Sequence, residues 1–329
     1  MAAPNPLLDL PGMPALRERV EKRLLAAVET DDEAMTELAS HLVRAGGKRL
    51  RPLLAALSST AGDAEAGVSD EAVTGGVACE LVHVGSLHHD DVIDEAETRH
   101  GVDSVNARWG NLRAILSGDF LLARASELAA SLGTEVAGLL ASTIGRLCTG
   151  EVRELQLAYQ VDRTERDYEA AIEGKTAALY STACRIGGIV AELPRAHVDA
   201  LTDFGLHYGM AFQVVDDVLD VVATHDELGK PAGHDMAEGV YNLPVLRTLA
   251  GPGGDELRPL LGGPLDGEAQ ARALALVRAG DGVAQSIAEA GAHVDRAVAA
   301  LSALPATPAA DALATAARHL LVGLDREAV

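Results

Sequence analysis

Aromatic side chains are scarce in this sequence of 329 residues, because Phe, Trp and Tyr together make up only 3% of it. Apolar residues nevertheless account for 48%, so an ample core has to be built mainly from Leu, Ala and Val. Alternation of apolar and polar residues, the pattern of a half-buried strand, is also rare. These two shortages favour an all-α fold.

Cysteine is limited to Cys79, Cys148 and Cys184, which lie far apart and form no Cys-x-x-Cys pair. An odd number at such spacing excludes a zinc-finger or disulfide framework. We expect all three to be small core residues in a reducing cytosol.

Long apolar runs and basic segments are absent too. Nowhere do 18 apolar residues follow one another, and the first residues lack a basic segment followed by an apolar run, so we expect a cytoplasmic protein that is neither secreted nor membrane-spanning. The chain has 27 Lys and Arg against 49 Asp and Glu, a formal net charge of −22. That charge opposes binding to nucleic acid and to anionic lipid.

Apolar residues recur at three- and four-residue spacing, which predicts amphipathic helices. The first two stripes are Leu16, Val20, Leu24, Leu25 and Val28, then Leu38, Leu42 and Val43. Glycines predict breaks between helices at 46–47, 62–67, 101, 133, 187–188, 229–233 and 251–263. No linker or charge block divides the chain, so we predict a single large helical domain over residues 1–329, with residues 1–12 irregular.

Two aspartate clusters of identical spacing lie 126 residues apart, Asp90-Asp91-Val92-Ile93-Asp94 and Asp216-Asp217-Val218-Leu219-Asp220. On a helix the first and fifth residues of each cluster share a face. Solvated surface acid is the alternative interpretation, but both clusters follow apolar helical stretches, and buried carboxylates need partners. Mg²⁺ is usually held by a few carboxylates together with substrate phosphate oxygens. The clusters therefore predict a metal-bridged phosphate site.

Lysine is rare, and three of the four lysines, Lys48, Lys175 and Lys230, directly follow a glycine. Glycine allows close approach of a ligand, and an ammonium suits phosphate oxygens. Each alone could be an ordinary loop lysine; together they indicate a phosphate site. Because nucleotide-binding glycine motifs are absent, a diphosphate on a hydrocarbon fits better than ATP.

These motifs resemble those of the all-trans isoprenyl diphosphate synthases, also called polyprenyl synthetases, from about Gly46 to Pro244. The matching segments are Gly46-Gly47-Lys48-Arg49-Leu50-Arg51-Pro52, Leu87 to Asp94 with Arg99 beyond, Gly118-Asp119-Phe120-Leu121, Lys175-Thr176-Ala177, Phe212-Gln213 to Asp220, and Gly229-Lys230-Pro231. The resemblance implies an all-α domain of the isoprenoid synthase type around a deep apolar central cavity, with both aspartate helices at its mouth.

The resemblance also implies roles for these residues. Mg²⁺, three ions per site, would join the diphosphate of an allylic substrate to Asp90, Asp94 and Asp216, with support from Asp91 and Asp220. Asp217 belongs to the same catalytic set. The residues implied around the allylic diphosphate are Arg99, Lys175, Thr176, Gln213 and Lys230.

Isopentenyl diphosphate, the second substrate, would bind Lys48, Arg51 and His83. His83 lies seven residues before Asp90, on the same helical face, although a lone histidine there could be only a core polar residue. The family usually has a second arginine after the one matched by Arg99. Here His100 takes that place and lacks the planar fork, so we expect a weaker contact.

The implied reaction is the Mg²⁺-dependent head-to-tail condensation of isopentenyl diphosphate with an allylic diphosphate. Gly85 and Ser86, one turn before Asp90, are small and are expected to leave open the tube that would hold the growing chain, with Phe120 as a candidate floor. We therefore expect a long all-trans product of about C30 to C50. A homodimer, with transient membrane contact at product release, is also implied.

Three alternatives stay open. A short-chain synthase of about C15 to C25, such as a geranylgeranyl diphosphate synthase, would need a higher floor in the tube. A non-catalytic regulatory subunit is favoured by His100 and by Val240, where many relatives carry a lysine, but all six aspartates are present. A class I terpene cyclase would need Ser or Thr and then Glu in the second cluster, where this chain has Asp220 and Thr224.

Overall fold

The structure is a computed structural model that describes residues 12–223, 232–322 and 324. Its α-helices, numbered in chain order, are α1 (Met13–Val28), α2 (Glu33–Ala45), α3 (Leu50–Thr60), α4 (Asp70–Ile93), α5 (Val105–Trp109), α6 (Asn111–Ser131), α7 (Thr134–Leu157), α8 (Glu165–Ile172), α9 (Ala178–Val190), α10 (Arg195–Val222), α11 (His234–Ala237), α12 (Leu243–Ala250), α13 (Gly254–Leu257), α14 (Gly267–Ala279), α15 (Gly282–Ala300) and α16 (Pro308–His319). A π-helical turn, Glu173–Ala177, joins α8 to α9. The predicted all-α class is confirmed.

The apolar stripes form buried helix faces, as their spacing predicts. Leu16, Val20, Leu24 and Val28 are buried along α1, and Leu38, Leu42 and Val43 along α2. Several helix starts carry side-chain caps: at α2 the Asp32 side chain accepts a hydrogen bond from the backbone N–H of Met35, and α4 and α8 are capped by Ser69 and Thr164.

The predicted break at 187–188 is wrong, because both glycines lie inside α9. A Cβ added to Gly187 would lie 2.2 Å from the carbonyl oxygen of Ala55 on α3. Glycine is therefore needed here for contact between two helices and not for a turn. The predicted break at 229–231 falls outside the described residues.

A short hairpin follows α4 and fixes the position of Arg99. Strand β1 (Thr98–Arg99) pairs antiparallel with β2 (Val102–Asp103), with Arg99 opposite Val102. The turn between them uses left-handed backbone at His100, with φ of 52°, and at Gly101, with φ of 77°. Arg99 is thereby directed back toward the end of α4.

The core is made mostly of Ala, Val and Leu, as the composition predicts. One apolar cluster joins α1, α2, α4 and α6, another surrounds the C-terminal half of α10, and a third joins α3, α9, α10 and α16. Cys79 and Cys184 are buried in it, but Cys148 on α7 is exposed, so that part of the cysteine prediction is wrong. None of the helices in the described part of the chain is long and apolar enough to cross a membrane.

Candidate active site

The first aspartate cluster ends α4 and points its three carboxylates in different directions. Asp91 is fully buried; it accepts a hydrogen bond from Arg99 Nε (2.8 Å) and forms an ion pair with Arg99 Nη2 (2.6 Å). Asp90 is half-buried, and Asp94, whose backbone N–H caps the helix on the carbonyl of Asp90, is exposed. Asp91 therefore holds Arg99, while Asp90 and Asp94 remain turned toward the outside.

The second cluster, near the end of α10, repeats this division. Asp216 is exposed, whereas Asp217 is 4% exposed and Asp220 is 3% exposed. Asp217 accepts a hydrogen bond from the Tyr168 hydroxyl (2.5 Å) and another from the Gln213 amide (2.9 Å). Burial raises the pKa of Asp217 well above its ordinary value, and these two donors oppose that rise.

Asp220 lies on the same helical face as Asp216 but is covered. Its carboxylate accepts a hydrogen bond from the backbone N–H of Asp235, and its carbonyl oxygen accepts one from the N–H of Gly233 at 2.7 Å. The segment that begins at residue 232 therefore packs over Asp220. Tertiary packing thus distinguishes Asp220 from Asp216, although both lie on one helical face.

Gln213 and Thr176 were predicted to share the allylic diphosphate site, and the structure brings them together. The Thr176 hydroxyl donates to the side-chain oxygen of Gln213 (2.7 Å), and Gln213 donates in turn to Asp217. A chain of hydrogen bonds thus runs from Thr176 through Gln213 and Asp217 to Tyr168 on α8. Tyr168 was not recognised from the sequence, where nothing distinguishes it from a core tyrosine.

Lys175 lies in the π-helical turn with its ammonium between two glutamates of α7. Nζ is 2.7 Å from Glu151 Oε2 and 2.5 Å from Glu154 Oε2. Its charge also lowers the pKa values of Asp90 and Asp94, so all four carboxylates lie within its electrostatic reach. Glu151 and Glu154 were not predicted from the sequence. Two acidic residues three positions apart on a helix share a face, and that spacing could have indicated a joint role.

The carboxylates of Asp90, Asp94, Glu151 and Glu154 repel one another, and such repulsion is relieved when a cation binds among them. The pKa of Asp90 is raised to about 7, chiefly by burial and also by the charges of Glu151 and Asp94, while Lys175 acts to lower it. A bound divalent cation would offset the free-energy cost of keeping these carboxylates ionised and close together.

The residues predicted for the second diphosphate form a group of cations around α4. Burial lowers the pKa of His83 well below its ordinary value, and the charges of Arg51, His100, Arg49 and Arg99 lower it further. The structure therefore brings His83, Arg51, Arg99 and His100 within electrostatic reach of one another.

Arg51 is 9% exposed and stacks over Tyr180, 4.5 Å from the ring centre. The two basic residues that precede it in the chain have different surroundings. Arg49 is buried in ion pairs with Glu21 and Glu80, which is a structural role. Lys48 is exposed. Lys230 lies outside the described residues.

The predicted chain-length residues have packing partners of their own. A Cβ added to Gly85 would lie 3.1 Å from the Gly118 carbonyl oxygen and 3.3 Å from Leu121 Cβ, both on α6. Gly85 therefore has a packing reason to be small, which weakens its use as evidence for an open tube. Ser86 is half-buried, with its hydroxyl donating to the carbonyl of His83 (2.9 Å), and Phe120 is half-buried on α6.

The carboxylates fit a divalent metal in type and charge, although they do not form a preformed cage. Within residues 12–223, 232–322 and 324, no three His, Cys, Asp or Glu side chains converge as ligands of one ion. Mg²⁺ does not require that, because it keeps several waters and is held through one or two carboxylates together with substrate phosphates. Within the two clusters, the aspartates that are not buried are Asp90, Asp94 and Asp216. These residues could hold the metal ion.

The chain is similar to known proteins along most of its length. The sequence profile of the family described as Polyprenyl synthetase matches residues 32–275. A nonaprenyl diphosphate synthase of Mycobacterium tuberculosis is 40% identical, with 92% of each chain covered. Component 2 of the heptaprenyl diphosphate synthase of Geobacillus stearothermophilus is 37% identical, with 87% of this chain and 89% of that protein covered.

A solved structure is similar over nearly the whole length. It is a geranylgeranyl pyrophosphate synthase of Corynebacterium glutamicum complexed with calcium and isoprenyl diphosphate, 37% identical, with a TM-score of 0.83, covering 97% of this chain and 98% of that one.

Removing the Tyr168 hydroxyl tests whether Asp217 depends on it. Tyr168→Phe leaves a buried carboxylate with one donor fewer, so we expect the free energy of unfolding to fall by about 1–3 kcal/mol. Chemical denaturation measures it, with Tyr159→Phe as the matched control outside this hydrogen-bond chain. Equal losses in both variants would contradict the role assigned to Tyr168.

Proposed function

The chain belongs to the polyprenyl synthetase family and is thus a prenyl-transferring enzyme, and we propose that it elongates an allylic diphosphate with isopentenyl diphosphate. The observation that carries the proposal is the pair of aspartate clusters. Each buries and hydrogen-bonds its second aspartate, while Asp90, Asp94 and Asp216 stay accessible for a diphosphate-bound cation. We infer that residues 1–329 form one domain, because the nonaprenyl relative is covered over 92% of its length.

The chemistry follows from charge. Bound Mg²⁺ would neutralise the negative charge that develops on the leaving diphosphate. Lys175, Arg99 and Lys230 would add positive charge there, which stabilises the transition state more than the ground state. The allylic C–O bond breaks, an allylic cation forms, and the double bond of isopentenyl diphosphate attacks it. The attack leaves a new cation, which loses a proton from the adjacent carbon to the released diphosphate and so forms the new double bond; each cycle adds five carbons.

The second substrate would bind the cation group of α3 and α4. Arg51 is held by Tyr180, and His83 stays neutral at pH 7 because burial and neighbouring cations lower its pKa. A neutral imidazole still donates one hydrogen bond to a phosphate oxygen. His100 extends this group where a second arginine would give a stronger contact.

We propose a long-chain product, as in the nonaprenyl relative. A geranylgeranyl product is the runner-up, since the similar Corynebacterium structure bears that name. The carbon count depends on where the floor of the tube lies.

An elongation assay tests the function directly. We expect the purified chain, with Mg²⁺ and labelled isopentenyl diphosphate, to extend allylic primers of ten, fifteen or twenty carbons, and to stop when EDTA removes the metal. Asp90→Asn should lower kcat by about a hundredfold or more, whereas Asp70→Asn, an exposed aspartate at the other end of α4, should not. Absence of elongation with every primer would overturn the synthase proposal, and elongation by the isolated chain would exclude a regulatory subunit.

Product length is tested at Ser86. Ser86→Phe places a ring one turn before Asp90, so we expect a product shorter by at least one five-carbon unit, with Ser86→Ala unchanged. Chromatography of the dephosphorylated products measures the length. Identical lengths for all three proteins would show that Ser86 does not line the tube. Gly85→Phe is unsuitable, because its side chain would meet α6.

We also propose a homodimer built on an apolar patch of α6 and α7. These helices pack together and leave Leu112, Ile115, Leu116, Val152 and Leu155 between 41% and 73% exposed. Large exposed apolar patches mark interaction surfaces.

The patch predicts the effect of charge on assembly. Leu112→Asp combined with Leu116→Asp should convert a dimer into a monomer in light scattering after size exclusion. Val322→Asp, which changes a 57% exposed valine away from the patch, should leave the dimer intact. A wild-type monomer, or a dimer in all three proteins, would contradict this interface.

A further inference from the structure

The position of Lys175 is unusual for a residue proposed to bind diphosphate. Its ammonium is engaged by Glu151 and Glu154, whose side chains are only 17% and 15% exposed, while that of Lys175 is 37% exposed. An ion pair of this kind neutralises the lysine. As long as it stays closed, Lys175 offers a diphosphate little net positive charge.

The backbone is built to bring these three residues together. A Cβ on Gly150 would lie 2.6 Å from the backbone nitrogen of Lys175, and one on Gly174 would lie 2.9 Å from the carbonyl oxygen of Arg146. Helix α7 and the π-helical turn therefore touch backbone to backbone, which holds the Lys175 side chain against the Glu151 and Glu154 positions. Single π-helical turns within helices are frequent at functional sites.

The local charge makes the ion pair responsive to a metal. When ionised, Asp90, Asp94, Glu151 and Glu154 carry four negative charges, which outnumber the positive charges of Lys175 and of Arg99, the two cations that act on Asp90 and Asp94. A diphosphate that approaches alone meets this negative field and a neutralised lysine. A diphosphate that arrives with a divalent cation brings the charge that the carboxylates lack.

We propose that Glu151, Glu154 and Lys175 form a latch that keeps Lys175 from the diphosphate until a divalent metal enters with it. In the closed latch the two glutamates hold the ammonium. When metal and diphosphate bind, the ammonium moves to the diphosphate, and the two carboxylates are left for the water ligands of the metal. Glu151 and Glu154 are then positioning residues. The inference rests on the proposed function, because it assigns diphosphate to this site.

The latch has two measurable consequences. Wild-type protein should bind inorganic diphosphate weakly without Mg²⁺ and tightly with it. Glu151→Gln with Glu154→Gln frees the ammonium, so we expect about tenfold or greater tighter binding of diphosphate without metal. The same variant loses carboxylates from around the metal, so the Mg²⁺ concentration for half-maximal binding should rise by about 10- to 100-fold. Calorimetric titration with inorganic diphosphate measures both.

The scarcity of lysine permits a direct observation of the latch. In protein labelled with carbon-13 at the lysine ε-carbon, NMR reports only Lys22, Lys48, Lys175 and Lys230, and Lys175→Arg identifies the Lys175 signal. We expect that signal to change little with diphosphate alone and to move when Mg²⁺ and diphosphate are added together. In the double glutamine variant it should already be displaced without ligand.

Glu173→Gln is the matched control. Glu173 lies in the same π-helical turn but pairs with Arg146 at 2.8 Å, so its loss should leave the Lys175 signal and both affinities unchanged. If the double variant does not fold, the single variants Glu151→Gln and Glu154→Gln serve, each with a smaller change. A Lys175 signal that is the same in wild type and in the glutamine variants, or that does not move with Mg²⁺ and diphosphate, overturns the latch.

The outcome is separable from that of the elongation assay. Elongation with an immobile Lys175 signal leaves the synthase function standing and removes the latch. A mobile Lys175 signal in a protein that elongates no primer supports the latch as a metal-dependent diphosphate site and contradicts the synthase proposal.

Discussion

Carboxylates are crowded at the ends of two apolar helices, and each buried carboxylate needs hydrogen-bond donors. The way in which those donors are supplied determines the arrangement of the rest of the site. In both clusters the second aspartate turns inward. Asp91 takes a hydrogen bond from Arg99 and forms an ion pair with it, and Asp217 takes one hydrogen bond from Tyr168 and one from Gln213. An unpartnered buried charge is very costly, so these bonds fix the rotation of each helix end and leave Asp90, Asp94 and Asp216 accessible.

Close packing of small residues brings the charged groups into range. With few aromatic rings available, helices approach through glycine: Gly85 meets α6, Gly187 meets α3, and Gly150 meets Gly174 of the π-helical turn. The last contact sets the distance between Lys175 and the α7 glutamates. At Gly150, Gly174 and Gly187 these contacts leave no room for a methyl group, and at Gly85 the fit is tight, because protein interiors are packed as densely as organic crystals.

The strongly acidic composition of the chain is also reflected in the charges around the site. A net charge of −22 disfavours anionic partners in general, yet the proposed substrates carry diphosphates. Cations are grouped around His83, and four carboxylates lie within the electrostatic reach of Lys175, where the proposed latch requires a divalent metal to accompany the diphosphate. On that proposal, metal dependence follows from the charge distribution as well as from the individual ligands.

The sequence by itself determined the helical class, the family, and the residue types of the site, because helical periodicity and motif spacing are local properties. It predicted that Thr176 and Gln213 belong together, and the structure joins them by a hydrogen bond. It could not show that Asp220 is covered, that Glu151 and Glu154 hold Lys175, or that Gly187 and Gly85 are packing positions. Only the tertiary structure decided these, because burial and ion pairing depend on which segment, distant in the chain, packs against a given face.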